Sequence, residues 1–123
     1  NQLQLKIFYL VTGKIFLVAV DFRPNSKTFL HHEKFILDSR FHHQIYTPPG
    51  VGSGFYSFGK NNHLIYKISE LYKDNKNEIG VMWNDKELNI NWPCKKPIIS
   101  TKDNNNKLIT DINFYKFEDL KNL

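Results

Sequence analysis

Five histidines are the first candidates for acid–base or metal chemistry in this sequence. Four of them form two adjacent pairs, His31 with His32 and His42 with His43, and His63 stands alone. Neighbouring residues of a β-strand face opposite sides of the sheet, so at most one histidine of each pair can face inward. A facial or tetrahedral metal site needs several imidazole and carboxylate ligands at suitable spacing, such as a spaced His-x-His followed by a carboxylate and another histidine. The sequence has no such pattern, and we predict no metal site.

A glycine-rich stretch over residues 44–58 is the second candidate. A strand pattern over residues 44–47 ends at Pro48 and Pro49, because proline supplies no backbone N–H for the sheet. Three glycines then follow within five positions, which indicates a sharp turn or the close approach of another group to the backbone. A loop of this kind is a common pocket mouth, whereas a connecting turn without a ligand is the open alternative.

Short β-strands are the elements that must position these residues. Strands separated by Gly, Pro and Asn turns at intervals of about eight to twelve residues are typical of a sandwich or barrel, and we expect an all-β jelly roll. The predicted strands cover residues 2–10, 15–22, 28–37 and 44–47, a segment resuming at Phe55, and residues 63–68. Turns are predicted at residues 11–14, which would make the first two strands a hairpin, and at residues 59–62 and 103–106. Residues 69–91 are predicted to form a surface loop, and the tail from Asp111 a short helix with Phe114, Phe117 and Leu120 on one side.

Composition limits the class of protein. The 123 residues are about one domain, so we predict a single domain over residues 1–123. Cys94 is the single cysteine, which excludes an intrachain disulfide and favours a cytoplasmic protein. The longest apolar run covers residues 15–20, which is too short to span a membrane, and no charged-then-apolar leader opens the sequence. The net charge of +5 is scattered along the chain, so anionic small molecules are better partners than nucleic acid.

Many short motifs, in a particular order, carry a resemblance to a known family. They are QLK (4–6), TGKI (12–15), VAVDFR (18–23), SKTF (26–29), YTPPG (46–50), GF (54–55), YK (66–67), Tyr72, WND (83–85), INWP (90–93) and STKD (100–103). Together they resemble the dTDP-4-dehydrorhamnose 3,5-epimerase family. The family consists of sugar-nucleotide epimerases with a cupin-like jelly roll. The resemblance implies a homodimeric isomerase without a cofactor, acting on a nucleotide-linked 4-keto sugar for surface polysaccharide biosynthesis.

The chemistry of this family assigns roles to particular residue types. Inversion beside a 4-keto group needs a base, an acid and a group that stabilises the enolate. By resemblance, Tyr66 matches the acid, Lys6 the lysine beside the enolate, and Asp103 the aspartate that orients the base. The resemblance further assigns Tyr72, Ser53, Phe55 and Lys102 to substrate binding.

Two differences from the family pattern leave a second function open. The histidine base of the family lies in a Leu-His-Tyr-like motif upstream of Asn1, so the base is expected to be missing from this chain. Related members carry a histidine where this chain has Ser53, whose hydroxyl does not titrate near neutral pH. The alternative is therefore a non-catalytic, cupin-like domain that binds a sugar nucleotide or serves in assembly.

Overall fold

The chain is built from four antiparallel β-strands and a few short helices. The structure, a computed structural model, describes residues 4–69 and 79–117. The elements are β1 (Lys6–Asp21), β2 (His32–Asp38), β3 (Gln44–Thr47), β4 (Val51–Ile68), α1 (Thr101–Asn104) and two 3₁₀ turns, Ile109–Asp111 and Phe114–Lys116. The prediction of an all-β fold with little helix is confirmed.

β1 is the central strand of the sheet. β2 and β3 lie end to end along one edge of β1, and β4 lies along the other edge. The pairing of β1 with β2 runs from Lys14↔Asp38 to Val20↔His32, that with β3 from Lys6↔Thr47 to Tyr9↔Gln44, and that with β4 from Lys6↔Ile68 to Asp21↔Val51. The predicted hairpin of residues 2–10 and 15–22 is therefore wrong, since residues 11–14 continue β1 instead of reversing the chain.

The two predicted turns at residues 11–14 and 59–62 form a shared bend in two paired strands. Thr12 pairs with His63 and Lys14 with Phe58, so one residue of β1 faces four residues of β4. Gly13 has a φ of 96°, and the N–H of Lys14 donates a hydrogen bond of 2.8 Å to the side-chain oxygen of Asn62. The predicted turn at 59–62 is thus a bulge inside β4, and it bends both strands at one point.

This bend makes the two halves of the sheet face each other. Thr47 lies opposite Lys6 and Val51 lies opposite Asp21, and the four steps between Thr47 and Val51 reach at most about 14 Å. A straight strand of the length of β1 would place its ends about 50 Å apart. β1 must therefore fold over at the bend, with a first half (residues 6–10) opposed to a second half (residues 14–21).

The inner face of this folded sheet is one apolar cluster. It contains residues of both halves, because the bulge shifts the alternation from even to odd positions. Its fully buried members are Phe8, Leu10, Ile15, Leu17 and Leu37, with Phe35, Ile45 and Leu64 packed against them. We call this side the inner face and the opposite side the outer face.

The outer face of the second half is covered by the C-terminal segment, residues 79–117. Phe16, Val18 and Val20 pack there against side chains that include Trp92 and Phe114. A Cβ on Gly54 would lie 3.4 Å from the ring of Trp92, and one on Gly52 would collide with the ring of Phe22. These two glycines therefore admit aromatic rings of the core, and of the glycine-rich stretch only residues 48–50 form the turn, with Gly50 at a φ of 83°.

The C-terminal segment is held by Asp85. Its buried carboxylate accepts hydrogen bonds from the backbone N–H groups of Glu87, Leu88 and Ile109 at 2.8–3.2 Å. Residues 101–104, part of which was expected as a turn, form the one-turn helix α1. The predicted tail helix is replaced by the 3₁₀ turn at Phe114–Lys116 within the described part, and Leu120 lies outside the described residues. Within residues 4–69 and 79–117 the helices have at most four residues, so none of them could span a bilayer.

Candidate functional site

Lys6 and Tyr66 lie on the same side of neighbouring strands. Lys6 pairs with Ile68 and Phe8 pairs with Tyr66, so Lys6 and Tyr66 are diagonal neighbours, about 7–8 Å apart along the sheet. Both share the inner face with the buried Phe8, and the rings of Phe8 and Tyr66 are 6.1 Å apart between centroids. Tyr66 is 59% exposed, so its hydroxyl lies at the open rim of the inner face and is accessible to a ligand.

Ser53 and Phe55 lie on the inner face of the other half. They pair with Ala19 and Leu17, and the fully buried Leu17 belongs to the inner cluster. Both residues are part of β4, so the expectation that Ser53 belongs to a loop is wrong, and the strand predicted to resume at Phe55 begins earlier, at Val51. Phe55 is 56% exposed, so it lies at the rim of the second half of the inner face. We call the part of the inner face between the rims marked by Tyr66 and Phe55 the cleft.

Asp103 occupies a different element. It is an exposed residue of α1, where its N–H is capped by the Ser100 hydroxyl and its carboxylate accepts a hydrogen bond of 2.7 Å from the same hydroxyl. The structure thus brings Lys6 and Tyr66 together on the sheet, whereas Asp103 lies on α1, in the C-terminal segment. Lys102 is exposed in the same helix, and Tyr72 lies outside the described residues.

Asp21 ends β1 close to the rim, but its carboxylate is fully used in holding the following turn. It accepts two side-chain hydrogen bonds from Arg23 at 2.8 and 2.9 Å, and one each from the hydroxyls of Ser26 and Thr28 at 2.6 and 2.7 Å. Burial raises the pKa of Asp21, but these hydrogen bonds together lower it by more, so the net pKa lies well below the ordinary value for aspartate. Asp21 is therefore unsuited to accept a proton near neutral pH.

One inner-face residue was not selected from the sequence. Glu33 pairs with Ala19, two positions beyond Phe35, and so shares the inner face with Ser53. The signal was present, because Glu33 has the same parity as Phe35 and Leu37 in a predicted strand. Alternation within one strand does not reveal that Glu33 lies opposite the small Ala19 and in one row with Ser53.

A cavity lies apart from this cleft, in the C-terminal segment. It has a volume of about 280 Å³ and is lined by Ile79, Gly80, Lys107, Asp111, Ile112, Asn113, Lys116 and Phe117, none of which was predicted as a site residue. Among residues 4–69 and 79–117, no group of three or more His, Cys, Asp or Glu side chains is arranged to hold a metal ion.

Comparison with known proteins identifies relatives of this chain. The family model for dTDP-4-dehydrorhamnose 3,5-epimerase matches residues 1–111. The dTDP-4-dehydrorhamnose 3,5-epimerase of Shigella flexneri is 33% identical over 110 residues, which cover 89% of this chain and 60% of the relative. The chain therefore spans about three fifths of the length of this curated relative.

Solved structures confirm the cupin-like jelly roll of this family. The dTDP-4-dehydrorhamnose 3,5-epimerase of Bacillus anthracis, with TDP and PPi bound, has a TM-score of 0.82 and 38% identity, over 86% of this chain and 60% of that one. An epimerase from Legionella pneumophila in complex with dTDP-4-keto-L-rhamnose has a TM-score of 0.83 and 32% identity, over 89% of this chain and 58% of that one.

Proposed function

This chain belongs to the dTDP-4-dehydrorhamnose 3,5-epimerase family, and on that premise we propose that it epimerises a nucleotide-linked 4-keto sugar for surface polysaccharide biosynthesis. The observation that supports this proposal most directly is the position of Lys6 and Tyr66 as diagonal neighbours at one rim of the inner face. An ammonium and a phenol at this separation can act on neighbouring atoms of one sugar ring.

In the proposed reaction, a base removes the proton on C3 or C5, and the electron pair moves toward the C4 carbonyl oxygen to form an enolate. The ammonium group of Lys6 stabilises the negative charge on that oxygen. The phenol of Tyr66 then gives a proton to the carbon from the opposite side of the ring, which inverts the centre. No redox change occurs, and we propose that no cofactor takes part.

The remaining predicted residues complete the proposed site. We propose that Phe55 and Ser53 contact the substrate from the opposite rim, and that Tyr72 and Lys102 add contacts from the segments that follow. Asp103 orients the base that removes the proton. We further propose that the protein is a cytoplasmic homodimer and that its substrate carries dTDP, like the ligand of the Legionella relative.

Exchange with solvent tests this function. The full-length protein is incubated with dTDP-4-keto-6-deoxyglucose in deuterated water, and mass spectrometry and NMR follow deuterium at C3 and C5. We expect enzyme-dependent incorporation at one or both carbons. Absence of deuterium at both carbons under conditions where the substrate is shown to bind contradicts the epimerase proposal.

One observation favours a second candidate, a non-catalytic domain that binds a sugar nucleotide. Ser53 lies on the inner face, whereas His32 pairs with Val20 on the outer face. Among residues 6–10 and 14–20 of β1 and the described residues that pair with them, the inner face carries an acid, Tyr66, and a cation, Lys6, but no histidine. Saturable binding of a sugar nucleotide in calorimetry, without deuterium exchange, would support this candidate over the enzyme.

A further inference from the structure

A polar row crosses the inner face at the end of the cleft opposite Lys6. Glu33 of β2 and Ser53 of β4 both pair with Ala19 of β1, one on each side. Two strand spacings place Glu33 and Ser53 about 10 Å apart along the sheet. Ala19 puts only a methyl group between them, and both Glu33 and Ser53 are exposed.

The row next to it is aromatic. Phe35 and Phe55 flank the buried Leu17 in the same way that Glu33 and Ser53 flank Ala19. A cleft with an apolar, aromatic floor and a few convergent polar groups is the usual form of a small-molecule site. Here one carboxylate and one hydroxyl lie beside two aromatic rings.

This set of groups fits the hydroxyls of a sugar ring. An ionised carboxylate is an acceptor for O–H donors, and a serine hydroxyl can both donate and accept. The phenyl rings can pack against the C–H faces of the ring. A carboxylate repels a diphosphate, so the row suits the sugar end of a nucleotide sugar and not its nucleotide end.

We propose that Glu33 determines sugar specificity by accepting hydrogen bonds from hydroxyls of the sugar ring, with Ser53 completing the contact from across Ala19. This inference rests on the proposed function, because it takes a nucleotide sugar as the ligand. An unrelated role for Glu33 is to keep an edge strand charged and so prevent pairing with other chains, and this role predicts no effect on ligand binding.

Calorimetry with two probes, dTDP and dTDP-glucose, tests the inference on the full-length protein. For the wild type we expect tighter binding of dTDP-glucose than of dTDP. Glu33→Gln should weaken dTDP-glucose binding about 10-fold and leave dTDP binding unchanged, because the loss of one charged hydrogen bond corresponds to about that factor. Ser53→Ala should act in the same direction by a smaller factor.

Glu87→Gln is the matched control, since Glu87 is an exposed glutamate in the C-terminal segment, away from the sheet rows. It should change neither affinity, and circular dichroism should show that all variants fold. Unchanged dTDP-glucose binding in Glu33→Gln, equal loss for both probes, or equal wild-type affinity for both overturns the proposal about Glu33. A wild type that binds neither probe overturns the proposed function as well, so the two failures are distinguishable.

Discussion

Tyr46 and Tyr66 are 56% and 59% exposed, but they lie on opposite faces of the sheet. Tyr66 pairs with the inner Phe8, whereas Tyr46 pairs with Ile7, whose side chain is on the outer face. The two tyrosines are thus almost equally exposed to solvent, but only Tyr66 lies on the inner face. A role that depends on the cleft should belong to Tyr66 alone.

We predict that Tyr66→Phe lowers the rate at which the inverted epimer of the 4-keto sugar forms by about 100-fold or more, because the donor that protonates the carbon from the opposite side is lost. Tyr46→Phe should leave the rate unchanged within about two-fold. The measurement is the single-turnover rate of inversion at C3 and C5, followed by NMR. Similar rates for the two variants would show that Tyr66 has no special part in the reaction.

Asp21 should make the free energy of unfolding depend on pH. Its pKa is lowered in the folded protein, so its contribution is fully present above about pH 4, the ordinary value for aspartate, and is lost as the pH falls toward the lower folded pKa. Asp38 adds to the same trend, since hydrogen bonds from Arg40 lower the pKa of Asp38 to about 2.

We predict that Asp21→Asn lowers the free energy of unfolding by about 2 kcal/mol at pH 7, because the ion pair with Arg23 is lost. At pH 3 the difference between variant and wild type should be smaller. Urea unfolding at both pH values measures this. A difference that is the same at pH 3 and pH 7 would show that the charge of Asp21 contributes nothing.

At the level of elements, the bend in β1 and β4 depends on Gly13. Its φ of 96° is unfavourable for other residues, and a Cβ there would lie 2.5 Å from the carbonyl oxygen of Asn61 and collide with the side chain of Asn62. Gly59 has a similar φ of 74° but nothing within 4 Å of its Cβ position. The two glycines therefore separate backbone strain from crowding.

We predict that Gly13→Ala destabilises the protein by about 3 kcal/mol and Gly59→Ala by about 1 kcal/mol, since only the first adds a steric clash to the strain of a positive φ. Urea unfolding of both variants measures the two values. Equal losses would mean that the bulge can relax around a methyl group at position 13.

The same bend shows what the sequence could and could not reveal about the elements. The strand at residues 44–47 and most of residues 28–37 were predictable from proline and alternation. Turns were predicted at residues 11–14 and 59–62, and the glycine in each segment does have a positive φ, but a glycine of this kind serves a bulge as well as a hairpin. The choice between them is made by β4, which pairs with both halves of β1 and is distant in sequence.

The site follows the same logic. Alternation places Tyr66 with Leu64, but which side of that strand is the inner one depends on the parity shift at the bulge. The side on which Ser53 lies depends on it as well. Resemblance could select Lys6 and Tyr66, whereas Glu33 became visible only when β2, β1 and β4 were seen in register.

At the scale of the whole molecule, Phe114 joins the C-terminal segment to the sheet. Its ring is 4% exposed, stacks on Phe22 at 5.3 Å and meets the edge of Phe29 at 5.5 Å. Both tryptophans of the chain, Trp83 and Trp92, lie in the C-terminal segment, whereas the described strands lie N-terminal to it. Tryptophan fluorescence therefore reports on that segment, and far-UV circular dichroism reports mainly on the strands.

We predict that Phe114→Ala lowers the free energy of unfolding by about 3–5 kcal/mol, because removal of a large buried ring leaves a cavity between the sheet and the C-terminal segment. If the chain is a single domain, fluorescence and circular dichroism should shift together and keep coincident transitions. The control is Tyr115→Ala, since Tyr115 is the neighbouring residue and is 54% exposed, and it should cost less than about 1 kcal/mol. A fluorescence transition that separates from that of circular dichroism would show that the sheet, with its Lys6–Tyr66 rim, folds without the C-terminal segment.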